Sequence, residues 1–285
     1  MANLHHQNRI YKFWRIAGIV FLLIIVLFPV YWLVLTSLKY PVDVHTPNPS
    51  FFPDKLRFEN YLDIWKTVPL GRYFKNSLII ALFSMVFATL VATFAGYALS
   101  KFRFRGRKTV GMTFLVTQMF PGILFLLPYY LIFILIKNQT GIALIGTYPG
   151  LIITYTAFVT PFTIWVMRGY FDTIPMELEE AALIDGCGFF SAFWKVILPT
   201  AVPGIITVAM LSFMKSWNEV LFATVLTNKE TRTLALGLYE FQQQFTTSWN
   251  LVMAAGVVIA LPVIIFFTFL QKHLVSGFTS GAVKG

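Results

Sequence analysis

The chain has 285 residues, 57% hydrophobic, 17% aromatic and 12% charged, with a mean hydropathy of +0.72. Soluble domains carry about 25% charged residues, and a core of this size cannot hide so much apolar surface, so a water-soluble domain is excluded and the bilayer is the implied solvent. The net charge of +10 would suit nucleic acid, but five cations crowd into Lys101–Lys108 and others flank apolar runs, as at the cytoplasmic ends of membrane helices.

At the start, Arg9, Lys12 and Arg15 precede an uncharged run from Ile16 to Leu38. That run exceeds the about 7–15 apolar residues of a signal peptide. It carries Tyr31 and Trp32 near its end and meets Lys39 without a small-residue cleavage site, so it reads as an uncleaved span. Asn76–Leu99, Thr109–Ile136, Tyr148–Met167, Thr200–Thr227 and Leu251–Leu270 follow. Each can cross a hydrocarbon core of about 30 Å, which takes roughly 20 helical residues. Lipid cannot satisfy open backbone, and the apolar runs are continuous rather than alternating, which excludes a barrel. The expectation is an all-α integral membrane protein, one transmembrane domain over 1–285 with six transmembrane helices.

The short, cation-rich Lys101–Lys108 loop is assigned to the cytoplasm, and the next short loop, Lys137–Thr147, with one cation, to the outside. Both termini are then cytoplasmic. The Lys39–Lys75 loop carries six Lys or Arg yet is placed outside, since four acids accompany them and long loops obey the charge rule weakly. Its Pro41, Pro47, Pro49 and Pro53 suggest an ordered external cap. The other long loop, Arg168–Pro199, is cytoplasmic. It contains Cys187, the chain's one cysteine, so no internal disulfide framework exists.

Within that loop, Pro175 suits a first helical position. Glu177, Glu179 and Glu180 follow in the first turns, where the helix dipole favours negative charge. Gly186 can adopt the left-handed conformation that ends a helix. Phe189, Phe190, Phe193, Trp194 and Ile197 then recur at helical spacing, and Pro199 closes the segment. The product is a cytoplasmic helix–turn–helix in which Ala181, Ala182 and Gly186 offer little bulk beside Glu180 and Asp185. Such a surface suits a knob laid in a partner's groove, with the aromatic second helix packed back on the spans.

Glu180-Ala181-Ala182, three residues, Gly186, nine residues, then Val196-x-Leu198-Pro199 resembles the EAA loop of ABC importer permeases, with Val196 where isoleucine is usual. The resemblance implies a coupling loop seated in a cleft of an ATP-binding subunit. Over nearly the whole length, the six spans, Ser216-Trp217-Asn218-Glu219 and the ending Gly277–Gly285 are similar to the maltose-type permease subunit. That likeness implies two ATP-binding subunits, a companion permease and an extracellular solute-binding protein in a bacterial or archaeal cytoplasmic membrane. ATP and Mg would sit on the partner ATPase, with no cofactor on this chain. It further implies that the tail Thr279–Gly285, including Thr279, Gly281, Lys284 and Gly285, reaches the ATPase interface. The external loop near Leu236–Asn250 would reach the binding protein. Its Tyr239, Phe241, Gln242, Gln243, Gln244 and Trp249 suit sugar, with aromatic faces for stacking and amides for hydrogen bonds.

Lys215 and Glu219 are the charges inside the fifth span, and intramembrane charges are functional suspects. Lys215 lies about 16 residues, roughly 24 Å, past its cytoplasmic end. Both therefore sit near the outer interface, able to pair at i,i+4 or to line a path with Trp217 and Asn218. Pro121-Gly122 and Pro128 interrupt the third span. They read as a kink, although Gln118 one turn earlier would suit a polar path.

No enzyme is legible. His5, His6, His45 and His273 have no metal-ligand spacing, and Gly141…Gly146 is followed by Thr147 and Tyr148 rather than a phosphate-binding Lys. A stand-alone ion-coupled carrier would want acids near the midplane, and the EAA-like loop would have no use. The resemblance therefore implies a maltose- or maltodextrin-type importer permease, with galacto-oligosaccharide or glycerol phosphate as alternative solutes.

Overall fold

The computed structural model describes residues 2–48, 50–53, 55–241 and 247–282, with side-chain surroundings from Tyr11 to Gln271. The regular elements among them are helical, α1 to α14 in chain order, with α2 (Pro41–Val44) and α13 (Leu234–Gly237) single short turns. Helices long and apolar enough to cross a membrane cover Tyr11–Ser37 within α1 (Ala2–Ser37), α4 (Leu70–Lys101), α6 (Ile123–Thr140), α7 (Tyr148–Thr173) and Trp249–Gln271 within α14 (Trp249–Ala282). A bent pair, Phe189–Thr200 and α11 (Val202–Trp217), brings the possible spans to six.

Two spans depart from expectation. Instead of one kinked helix over Thr109–Ile136, α5 (Arg107–Thr117) ends, and α6 starts afresh at Ile123. Pro121 has no amide hydrogen to continue the ladder, so the chain breaks there, while Pro128 is carried inside α6. The fifth span stops at Trp217 rather than Thr227, and a separate α12 (Leu221–Leu226) follows.

The backbone divides into two compact units where the sequence reads as one domain: Met1–Pro69 with Leu238–Ala260, and Leu70–Gly237 with Leu261–Gly285. In the first, Asn60, buried at the start of α3 (Asn60–Thr67), ties three segments together. Its amide donates to the carbonyls of Ser37 and Lys39, both at 2.9 Å, and its oxygen accepts from Asn250 at 2.9 Å. Lys39 donates to the Ser50 carbonyl at 2.7 Å over the Trp32 ring, and burial lowers the pKa of its amine. These contacts tie described residues of the 39–69 segment to one another and to Asn250.

The second unit is built on α4, α7 and α11. Ser84, Ala88, Ala92 and Gly96 recur every fourth residue of α4 and are buried. A Cβ at Gly96 would lie 3.0 Å from the backbone nitrogen of Arg168. Without side-chain bulk along this row, the two helices approach closely, the packing that membrane helices favour. One apolar cluster, including Tyr97, Met167, Phe171, Phe193, Ile197 and Val208, occupies the end of the unit that carries the 175–199 loop.

Candidate functional site

The loop forms α8 (Glu177–Ile184), α9 (Phe189–Ala192), a π-helical turn Phe193–Ile197 and α10 (Leu198–Thr200). Helix α8 begins two residues after Pro175, so Pro175 precedes the cap instead of occupying the first turn. Its other end closes as a Schellman turn. The Cys187 N–H donates to the Ala182 carbonyl at 3.0 Å, and the Gly186 N–H donates to Leu183 at 3.1 Å. Gly186 takes φ +86°, the left-handed conformation that glycine adopts at little cost.

The chain then turns into α11 through a 71° bend. Pro199 and Pro203 flank Ala201, and both lack the amide hydrogen a straight helix needs there.

Below α8 lies a buried polar contact absent from the sequence reading. Glu179 is only 4% exposed, and Tyr97 of α4 donates to its Oε1 at 2.7 Å. The other oxygen, Oε2, is buried without a hydrogen-bond partner. Lys101 donates to the Ile174 carbonyl at 2.5 Å, one residue before Pro175. The Tyr97 ring lies 4.6 Å from Phe193 and 5.6 Å from Phe171, centroid to centroid. Span α4 thus grips α8 from below by hydrogen bond and the following turn by aromatic packing.

Glu180, Ala181, Asp185 and Gly186 are exposed, whereas Ala182 is 6% exposed and turned into the chain. Leu198 is partly buried against the apolar cluster, and Pro199 is exposed. The second helix packs back mainly through buried Ala192, Phe193 and Ile197, with Val196 and Leu198 partly buried against the same cluster and Trp194 edge-on to Phe94 at 6.3 Å. Phe189, Phe190 and Ile184, on either side of Gly186 in the chain, remain 64%, 77% and 86% exposed. An apolar group of this kind beside charged Glu180 and Asp185 is the composition of a protein-docking surface. Helical periodicity places Phe189 and Phe190 with the inward residues, so the sequence reading missed their exposure.

The other candidates disperse. Gln118 is half-buried at the end of α5. Trp217 is buried, stacked 5.5 Å from Phe213 and edge-on to Phe74 at 5.7 Å. Asn218 donates to the Met214 carbonyl at 3.0 Å. Lys215 and Glu219 make separate contacts. Lys215 lies over the Phe162 ring at 4.3 Å, while the Glu219 carboxyl caps α12, accepting from the N–H of Phe222 at 3.0 Å and of Ala223 at 3.3 Å. Tyr239 is 57% and Trp249 42% exposed, whereas Phe241 is buried and offers no face for stacking. Thr279 and Gly281 continue α14 as helix instead of starting a separate tail. Gln243, Lys284 and Gly285 lie outside the described residues.

Residues 88–280 match the family described as binding-protein-dependent transport system inner membrane component. The diacetylchitobiose uptake system permease protein DasC of Streptomyces coelicolor is 35% identical, over 96% of this chain and 98% of its own. The trehalose/maltose transport system permease protein MalG of Thermococcus litoralis is 33% identical over 95% and 96%. In fold, a chain from a bacterial ABC transporter involved in import of the acidic polysaccharide alginate superposes with a TM-score of 0.75. It is 24% identical and the match covers 94% of this chain and 98% of that one.

Proposed function

Because the chain belongs to the family of inner membrane components of binding-protein-dependent transport systems, we propose that it is the permease subunit of an ABC importer for an oligosaccharide. The likeness of nearly its full length to permeases named for diacetylchitobiose and for trehalose or maltose carries this reading. A maltodextrin or an amino-sugar disaccharide is the solute class to try first. The chain is a transport subunit, not an enzyme. ATP hydrolysis belongs to ATP-binding subunits docked at Glu180–Phe190, a companion permease completes the path, and a solute-binding protein delivers at the other face.

In this reading α8 is the mechanical joint. ATP-driven closure of the ATPases moves the knob, and the Tyr97–Glu179 contact and the Tyr97–Phe193 packing pass the movement to α4. A joint of this kind works only if the docked arrangement interacts differently with the two states of the spans.

The assay is ATP hydrolysis by the reconstituted transporter with its binding protein, across maltodextrins, diacetylchitobiose, trehalose, galacto-oligosaccharides and glycerol phosphate. One or more of the sugars is expected to stimulate hydrolysis and enter the vesicles. Stimulation by glycerol phosphate alone, or by none of the panel, would reject the sugar reading.

The basic Lys101–Lys108 loop supports a cytoplasmic face for the knob. In a Cys187→Ser background, an impermeant thiol reagent should label Gln139→Cys in intact cells and leave Arg105→Cys unlabelled. The reverse pattern would invert the topology and remove the knob from any cytoplasmic ATPase.

A further inference from the structure

Two depressions meet at one arginine on the surface of the second unit. The first, about 540 Å³, is lined by Phe104, Gly106, Arg107, Lys108, Thr109 and Arg168. Three of those six residues are cations, and α5 begins there, at Arg107. Gly106, at φ +89°, occupies its cap position with no side chain to satisfy the first turn, and helix starts of this kind attract phosphate.

Arg168 is positioned for this cleft by the fold. A Cβ on buried Gly111 would lie 2.8 Å from its Nη1, so the absence of a side chain at Gly111 makes room for the guanidinium beside α5. Its Nε is shielded from solvent without a hydrogen-bond partner. Asp172 answers part of the charge, with one oxygen 3.6 Å from Arg168 Nε and the other 4.0 Å from Arg107 Nη2. The three cations lining the cleft exceed the one acid found within 4.0 Å of them among the described residues.

The second depression, about 600 Å³, is lined by Phe162, Trp165, Val166, Gly169 and Leu211, with Arg168 and Asp172 at its polar end. Apart from Arg168 and Asp172, which also border the cationic cleft as a lining residue and its neighbouring acid, its lining is apolar. Phe102, Phe104, Val110 and Met112, next to the cations, are exposed apolar side chains, as expected where a chain leaves hydrocarbon for headgroups. A free phosphate would use the first depression and has no use for the second. A molecule with an anionic phosphate head and a long apolar chain uses both, and basic pockets between membrane helices bind such headgroups.

We propose that this composite site holds an anionic phospholipid, its phosphate on Arg107, Lys108 and Arg168 and an acyl chain along the Phe162–Trp165–Gly169–Leu211 groove. The site is separate from the docking knob and does not depend on which solute is carried.

The test is lipid retention by the purified full chain, taken from mixed phosphatidylglycerol and phosphatidylcholine vesicles and weighed intact by native mass spectrometry. Wild type is expected to retain phosphatidylglycerol at least about tenfold over phosphatidylcholine. The double variant Arg107→Gln/Lys108→Gln, which leaves the Arg168–Asp172 pair in place, should lose that preference. Gly169→Leu is the second variant. A Cβ there meets nothing within 4 Å, so the substitution starts in open space beside the groove, and the leucine side chain should weaken lipid retention with the cations intact.

Displacement of the lipid by excess inorganic phosphate, with Gly169→Leu behaving as wild type, would make this a free-anion site and overturn the proposal. So would unchanged lipid selectivity in both variants. Loss of ATPase association in the double variant with lipid selectivity intact would assign the cations to the protein partner instead.

Discussion

Replacing Gly186 by valine is expected to abolish uptake while leaving a folded, membrane-inserted chain. Gly186 sits at φ +86° in the turn that closes α8. A left-handed conformation costs a non-glycine residue roughly 1–2 kcal/mol, and a β-branched side chain suits it least. Nothing of the chain itself lies within 4 Å of an added Cβ, so no internal packing is lost and insertion should survive. On the proposed docking role the valine would meet the partner, because Gly186 is exposed and lies in the chain between exposed Ile184 and exposed Phe189 and Phe190. Bulk there holds the knob out of its groove, and uptake and solute-stimulated ATP hydrolysis should fall together. Gly186→Ala, with much of the backbone cost and little bulk, should retain part of both activities. Glu180→Lys reverses charge on the same surface and should resemble the valine variant. Normal uptake and normal stimulation in both Gly186→Val and Glu180→Lys would remove the loop from the coupling path.

Tyr97→Phe is expected to separate ATP hydrolysis from transport. The substitution removes one hydroxyl and keeps the ring that packs on Phe193 and Phe171. It also strips the carboxyl of Glu179 of its donor, in a place where the second oxygen already has none. A buried polar group left unsatisfied costs about 1–3 kcal/mol. The chain can escape that cost by letting α8 shift away from α4, which loosens the joint. Since about 1.4 kcal/mol is a factor of ten, uptake should fall roughly five- to hundredfold, with hydrolysis persisting and less dependent on solute. Glu179→Gln supplies an amide oxygen of the same reach to accept from Tyr97 and should retain most transport. Equal loss of hydrolysis and uptake in Tyr97→Phe, or a Glu179→Gln variant as impaired as Tyr97→Phe, would reduce the contact to ordinary core stability.

The sequence by itself determined the solvent, the helical class and the position of the knob. Those properties follow from local rules: apolar run length against bilayer thickness, and a glycine placed to end a helix. The Schellman turn at Gly186 needs only residues 182–187 to form, which is why it could be read from the chain. The small-residue row Ser84–Ala88–Ala92–Gly96 was equally open to reading, because its spacing of four marks one helix face.

Tertiary structure decided what depends on partners distant in sequence. Glu179 at the start of a helix reads as a dipole effect, yet its environment is set by Tyr97, 82 positions away. Phe189 and Phe193 have the same chemistry and lie one turn apart, but the π-helical turn and the packing of α4 bury only Phe193. Whether Pro121 bends or breaks its span depends on which neighbours satisfy the freed backbone groups. The cationic cleft joins Arg107 to Arg168 across two helices, and no run of sequence brings those residues together. Periodicity specifies the faces an element has, while burial and charge pairing depend on what packs against them.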